Sequence, residues 1–432
     1  MRPVRLNVFQ RTQRAWDQLH PYNAVQLMGL RTSPSAAQVA HAFARALADL
    51  RLGAFSVTGC AYQVDTSEPP PALMEDDDLV GLLSREMNRP FPPDRSMPLR
   101  PFVSRDNGGV VVGVVYQHWV ADSVSIRMVM RQWLLSLAGR GGAAPVRFER
   151  GTLLRRFGAG AAGWSVVAHA AELLNFGRQT REMRRLPHRP ASPDVRVTTR
   201  RGPPGLIDGL AARCRSGGFT VGDAFLAAAA LACDRHGPAV ATSRRRNLAM
   251  GTIVDLRSQS PSMPANAFGL YLGFMISTFR EAELSDYASA LLAARRLRRM
   301  QFGRGSAAAS QMRMGIGLLA VHRLRGDALR DFYRKRFPLA GGLSNVNLNR
   351  DSLASCAPDV LRSYWRVSPT GPLLPLVLTP TTLGDDLTLC CTWQPALLDS
   401  ETAGALLDTF FALLTAFADG RVGPESGPRP PA

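Results

Sequence analysis

Lysine is almost missing from this chain: Lys335 is the single example, and every other cation is an arginine. The formal net charge of +18 is therefore an arginine charge, dispersed in short clusters such as Arg184-Arg185, Arg200-Arg201, Arg244-Arg245-Arg246 and Arg334-Lys335-Arg336. Abundant arginine and alanine with little lysine is what a GC-rich coding sequence produces without any functional demand. No aromatic residues interleave with these clusters in the way that stacks bases, so no nucleic-acid partner is expected. A positive field does raise the encounter rate with anionic partners, whether an acidic protein, a phosphate-bearing small molecule or a membrane surface.

Cysteine is scarce too. Cys60, Cys214, Cys233, Cys356, Cys390 and Cys391 form no C-x-x-C pair and no Cys/His cluster, which argues against a zinc site and against a disulfide framework. They read as reduced packing residues of a cytoplasmic protein. A long apolar run is also wanting. The most apolar stretch, Gly158 to Phe176, is interrupted by Ser165, His169 and Glu172 and falls short of the roughly 20 residues of a membrane span. It suits a core helix, with a helix lying peripherally on the inner membrane as the alternative. Met1 to Arg14 is polar and mixed, without the pattern of a secretory leader.

What is present is enough apolar residue, 46% of 432, to build two sizeable cores. The pattern divides into an N-terminal α/β unit over residues 1–150, a glycine- and arginine-rich connector with the apolar helix over 151–192, and a C-terminal α/β unit over 193–432. In the first unit, Asn23 to Leu30 and Phe55 to Val64 read as strands, and Ser35 or Ala36 to Leu50 and Asp77 to Met87 as helices. In the second, Val195 to Arg200, Leu248 to Leu256 and Phe268 to Phe279 read as strands. Ala224 to Arg235 is a helix so small and apolar that it must be buried. Gly384-Asp385-Asp386 marks a hairpin, and Ser400 to Ala418 a terminal helix.

The segment with most chemical content runs from Gly109 to Ser123. Asp106-Asn107-Gly108-Gly109 is a hairpin signal, Val110 to Tyr116 is a β-branched strand, and Val124 to Leu137 has helical periodicity. His118 therefore sits at a strand-to-helix junction with Asp122 four positions on. An imidazole so delivered can serve as a general base, and a core histidine satisfied by a carbonyl is the plain alternative. The remaining histidines, His20, His41, His169, His188, His236 and His322, have no spacing that suggests a metal.

Several stretches in order resemble the chloramphenicol acetyltransferase-like superfamily, which includes condensation domains of peptide synthetases and wax-ester and alcohol acyltransferases. They are Gln10 to Asn23 with Trp16 and Pro21; Asn88-Arg89-Pro90-Phe91 through Pro98-Leu99-Arg100; His118 to Asp122 in the His-x-x-x-Asp position; Thr220 to Ala227; Val254-Asp255-Leu256-Arg257; Ser344-Asn345; and Gly384 to Thr392.

The resemblance implies two lobes, each a mixed sheet flanked by helices, set in a V around a central tunnel. It implies an acyltransferase that moves an acyl group from acyl-coenzyme A or an acyl carrier protein to an alcohol or amine, making an ester or an amide. No bound cofactor or metal is implied, the phosphopantetheinyl thioester being a co-substrate, and a monomer suffices. His118 matches the base. Asp122 matches an architectural aspartate that pairs with an arginine of the second lobe, for which Arg257 is the candidate. Ser344, Asn345, Ser123 and Trp119 are candidates for oxyanion donors or tunnel walls. The chain departs from the pattern at Gln117, where some relatives have a first histidine, and at Ser123, where a glycine is common. It departs again at Gly222 and Asn347. A condensation-type amide former and a non-catalytic carrier-binding scaffold are the alternative functions.

Overall fold

The valine-rich run forms the strand Gly109–Gln117, which lies at the centre of a five-stranded sheet. In this computed structural model, which describes residues 3–106, 109–142, 144–149, 177–187, 194–257, 263–303, 306–321, 323–372 and 374–424, that strand is flanked antiparallel by Asn23–Leu30 and Leu99–Asp106. Both of its faces are apolar because both are covered. Val112, Val114 and Tyr116 pack under the helices Ala36–Leu50 and Ser123–Leu137, whereas Val111 and Val115 meet Leu82, Leu83 and Met87 of the helix Leu79–Asn88. Trp133, fully buried and edge-on to Phe43 at 4.7 Å, anchors the first of these layers. Truncating an aromatic of that kind costs about 3–5 kcal/mol.

The second sheet has the order Arg196–Arg201, Asp386–Trp393, Leu376–Leu383, Gly341–Leu343, Leu248–Asp255, Leu272–Phe279. Gly341–Leu343 runs parallel to both neighbours, so the sheet is mixed. Behind it lies the alanine-rich helix Val221–His236, whose small side chains let it sit against Met250, Leu376 and Leu378. Ser400–Ala418 is long and apolar enough to cross a membrane, but Leu406, Leu407, Phe410, Leu414 and Phe417 are buried in this core, which accounts for its composition. Helix starts are fixed by side chains in the expected way: Ser35, Asp122, Thr220 and Asp399 each accept from a backbone N–H of the first turn. Such a cap stabilises by about 1 kcal/mol.

Among the described residues the two largest sheets are mixed and flanked by helices, as expected, beside a four-stranded and a two-stranded one, but their strands are not partitioned at one point in the sequence. Leu361–Val367, a strand the sequence reading did not identify and whose residues fall in the expected C-terminal unit, crosses to pair antiparallel with Asn23–Leu30. It is the edge strand of the N-terminal sheet. Arg147–Phe148 and Ala267–Phe268 form a second, short parallel tie between the two units.

The strand expected over Phe268 to Phe279 is broken at Gly269, whose φ of 149° is open to glycine and strained for other residues. The helix Gly326–Arg336 was also not anticipated; its charged composition hides the buried stripe of Leu329 and Tyr333. The apolar helix expected over Gly158 to Phe176 lies outside the described residues.

Candidate active site

His118 follows the last residue of the strand Gly109–Gln117, where its backbone N–H still donates to the Tyr22 carbonyl at 3.0 Å. The ring lies between Tyr22, stacked at 5.7 Å, and Tyr116, edge-on at 5.6 Å. Its Nδ1 is 3.1 Å from the Ala121 carbonyl. A carbonyl only accepts, so Nδ1 carries the proton and Nε2 keeps its lone pair. Burial lowers the His118 pKa below its ordinary value, against the pull of the Ala121 hydrogen bond and the Asp122 charge. The imidazole is thereby neutral at pH 7, the form a general base needs.

The ring lines a cavity of about 210 Å³ between the two sheets. One part of its wall is apolar and aromatic, with Phe9, Trp16, Tyr22, Phe274 and Leu374. The other is polar, with Ser123, Arg127, Asp255, Ser344, Asn345 and Arg366. Both units contribute, so a ligand held here touches both.

Asp122 lies behind the histidine rather than in the cavity. It is fully buried, and each carboxylate oxygen is satisfied twice. Oδ1 accepts from the Ser125 N–H at 2.9 Å and Arg257 Nη2 at 3.0 Å; Oδ2 accepts from Arg257 Nη1 at 2.8 Å and the Tyr271 N–H at 2.8 Å. Burial alone would raise its pKa, but Arg257 and the two backbone N–H groups outweigh that and hold it below the ordinary carboxylate value.

Arg257 also contacts Asp255 Oδ1 at 3.0 Å and Ser125 Oγ at 2.8 Å, and lies over the Tyr271 ring. Asp255, at its strand end, accepts from both the backbone and the side chain of Arg257. Ser125 closes the knot by donating to the Gly269 carbonyl while accepting from the Gly269 N–H, each at 2.9 Å. The break at Gly269 is what brings both groups to bear. This bidentate pair joins the two units and cannot reach a ligand.

Of the tunnel candidates, Ser123, Ser344 and Asn345 line the cavity and Trp119 does not. Trp119 is buried in the N-terminal core against Phe55 and Tyr62. The reason is local: the chain turns at His118, and the residue after it points to the opposite side. Gln117 likewise faces away, donating from Nε2 to Asp17 Oδ2 at 2.7 Å.

Sequence reading missed Arg366. It is 4% exposed, sits on the crossing strand Leu361–Val367 opposite Gln26, and lines the cavity. Its Nη1 is 3.3 Å from Ser123 Oγ and 3.4 Å from Ser344 Oγ, Nε is 3.2 Å from Thr381 Oγ1, and Nη2 reaches the carbonyls of Ser344 and Pro380. Arg127, beside it, donates to Ser123 Oγ at 3.0 Å and is paired with Asp351 at 2.7 Å. The only signal in the sequence was an arginine directly after the aromatic pair Tyr364-Trp365 in a short stretch that also holds Arg362. No group of histidine, cysteine and carboxylate side chains that could hold a metal ion occurs among the described residues.

No family model matches the sequence, and no curated protein is similar to it. Solved structures are similar in fold. The condensation domain of the monacolin K polyketide synthase MokA matches with a TM-score of 0.68 over 97% of this chain and 98% of its own, at 13% identity. The trichothecene 15-O-acetyltransferase TRI3 of Fusarium sporotrichioides matches at 0.67 over 96% and 95%, at 12% identity. The X-domain of teicoplanin biosynthesis, in its complex with OxyB, matches at 0.60 over 98% and 95%, at 17% identity. The chain therefore has the two-lobed, chloramphenicol acetyltransferase-like fold that its ordered motifs imply.

Proposed function

We propose that this protein is an acyltransferase that moves an acyl group from a thioester to a hydroxyl or amine, with His118 as general base. The observation that carries the reading is the imidazole itself: Nδ1–H is fixed on the Ala121 carbonyl, and the ring opens on a cavity shared by both lobes. Nε2 takes the proton of the acceptor O–H or N–H as that atom attacks the thioester carbonyl. The tetrahedral intermediate then expels the thiolate, which receives the proton back from the imidazolium and leaves as free thiol. The side chain of Asn345 lies at the cavity wall where its amide can donate to the oxyanion.

Acyl-coenzyme A and an acyl carrier protein both present the thioester on a phosphopantetheine arm. A basic cleft of about 630 Å³ lined by Arg178, Arg181, Arg185, Arg245, Lys335 and Arg336 supplies an anion-attracting surface for either. The test is thioester turnover with a panel of acyl donors and simple alcohols and amines. His118→Ala should lose roughly 100-fold to 10,000-fold in rate. Equal turnover by wild type and variant would remove His118 from the chemistry. A second reading, a module that binds a partner without catalysis, takes support from the X-domain, which shares the fold and forms a complex with OxyB. Tight carrier binding with no turnover of any thioester would favour it.

A further inference from the structure

We propose that the cavity recognises a substrate bearing a carboxylate, held by Arg366 with the hydroxyls of Ser123 and Ser344. The proposal rests on the reading that this cavity takes the substrate. It starts from an imbalance: among the described residues two arginines line the cavity, and only one of them is compensated. Arg127 has Asp351 at 2.7 Å, and the wall carboxylate Asp255 is taken up by Arg257 at 3.0 Å. Arg366 is nine-tenths buried and lies at the same wall, yet among the described residues its acceptors are all neutral: two serine hydroxyls, a threonine hydroxyl and two carbonyls.

A buried guanidinium without an anion is costly, and its retention needs a reason. The long contacts of Nη1, the only one of its nitrogens that bonds to side chains of the cavity wall alone, tell where an anion fits. The bonds from Nη1 to Ser123 Oγ and Ser344 Oγ are 3.3 and 3.4 Å, beyond the usual range for N–H donors. Both hydroxyls can rotate to donate. Nη1 and two hydroxyls then form a charge-assisted donor set for a carboxylate.

Around that set the polar lining is braced. Gln26 donates to Ser123 Oγ at 3.2 Å and accepts from the Tyr364 hydroxyl, and Arg127 donates to the same serine. The remaining wall of Phe9, Trp16, Tyr22, Phe274 and Leu374 suits an apolar or aromatic body. The ligand is thus an amphipathic organic acid, its carboxylate at Arg366 and its apolar part against these rings.

Calorimetric titration of the full chain with a graded series of aryl- and alkyl-carboxylates, each beside its neutral amide, tests this. At least one carboxylate should bind tenfold or more tighter than its amide. Arg366→Gln should abolish that preference, and Arg366→Lys should keep part of it. A series in which no carboxylate outbinds its amide overturns the proposal, as does a preference that survives in Arg366→Gln. Tighter binding of an aryl phosphate than of the matching carboxylate overturns the carboxylate assignment. The comparison within wild type stands even if a variant fails to fold. His118→Ala should retain the preference, so thioester turnover failing while carboxylate binding holds would defeat the transferase reading alone.

Discussion

Asp122 and Ser123 are neighbours at the start of one helix, and each meets a buried arginine from the C-terminal half of the chain. Arg257 reaches Asp122 and finds charge: two carboxylates and a bidentate geometry. Arg366 reaches Ser123 and finds hydroxyls and carbonyls. Burial weakens the proton affinity of both, but Asp122 more than restores it at Arg257, whereas Arg366 is pushed down to about 10, first by burial and then by Arg127. Two guanidiniums that meet adjacent residues at the start of the helix thus have opposite electrostatic fates. The first is spent on joining the lobes, while the second is left with charge to give.

The comparison breaks most visibly in stability. Arg257→Met strands a fully buried carboxylate and should cost about 3–5 kcal/mol in chemical denaturation. The loss should shrink in acid. The pKa of Asp122 is depressed in the fold, so its contribution is present above the unfolded value near 3.9 and is lost as pH falls through the lower folded value. A variant as stable as wild type at pH 7 would mean that the Ser125 and Tyr271 N–H groups satisfy Asp122 without the arginine. Gly269→Ala acts on the same knot from the other side. A Cβ there falls 3.1 Å from the Tyr271 hydroxyl at a φ of 149°, and the expected loss is about 1–3 kcal/mol by the same measurement. Arg366→Met should change stability by less than about 1 kcal/mol, because relief of an uncompensated charge offsets the lost bonds to neutral acceptors. A loss as large as that of Arg257→Met would show that Arg366 is structural and erase the contrast.

How much of this was legible in the sequence follows the same division. The Arg257 side was readable. His118, Asp122 and Arg257 belong to short contiguous strings whose order matches a known pattern, and the strand and helix around them carry strong periodicity. The terminal helix Ser400–Ala418 was legible for that last reason alone. The Arg366 side was not. Leu361–Val367 is seven residues long, sits in the half of the chain that builds the other sheet, and joins Asn23–Leu30 across more than 300 positions. No local propensity encodes such a crossing. Trp119 failed for the converse reason: nearness in sequence to the base suggested nearness to the cavity, and the turn at His118 sent the indole into the core.

The smallest effect is the one that separates the two arginines at the imidazole. His118 lies within the fields of both Asp122, which raises its pKa, and Arg366, which lowers it, with burial the largest influence and downward. The neutral ring is the active form, so the acid limb of the kcat/KM profile should fall below pH 6.5 in the wild type. In Arg366→Met one of the lowering influences is gone, the imidazolium is less disfavoured, and the limb should move toward higher pH by a fraction of a unit, measured on any acceptor that lacks a carboxylate. Asp122→Asn should move it the other way, provided the variant folds. A limb above 6.5 in the wild type would mean that solvent or an unrecognised acid reaches the ring. A limb that stays fixed in Arg366→Met would mean that the guanidinium is screened from the base, and that its charge faces the cavity without acting on the chemistry there.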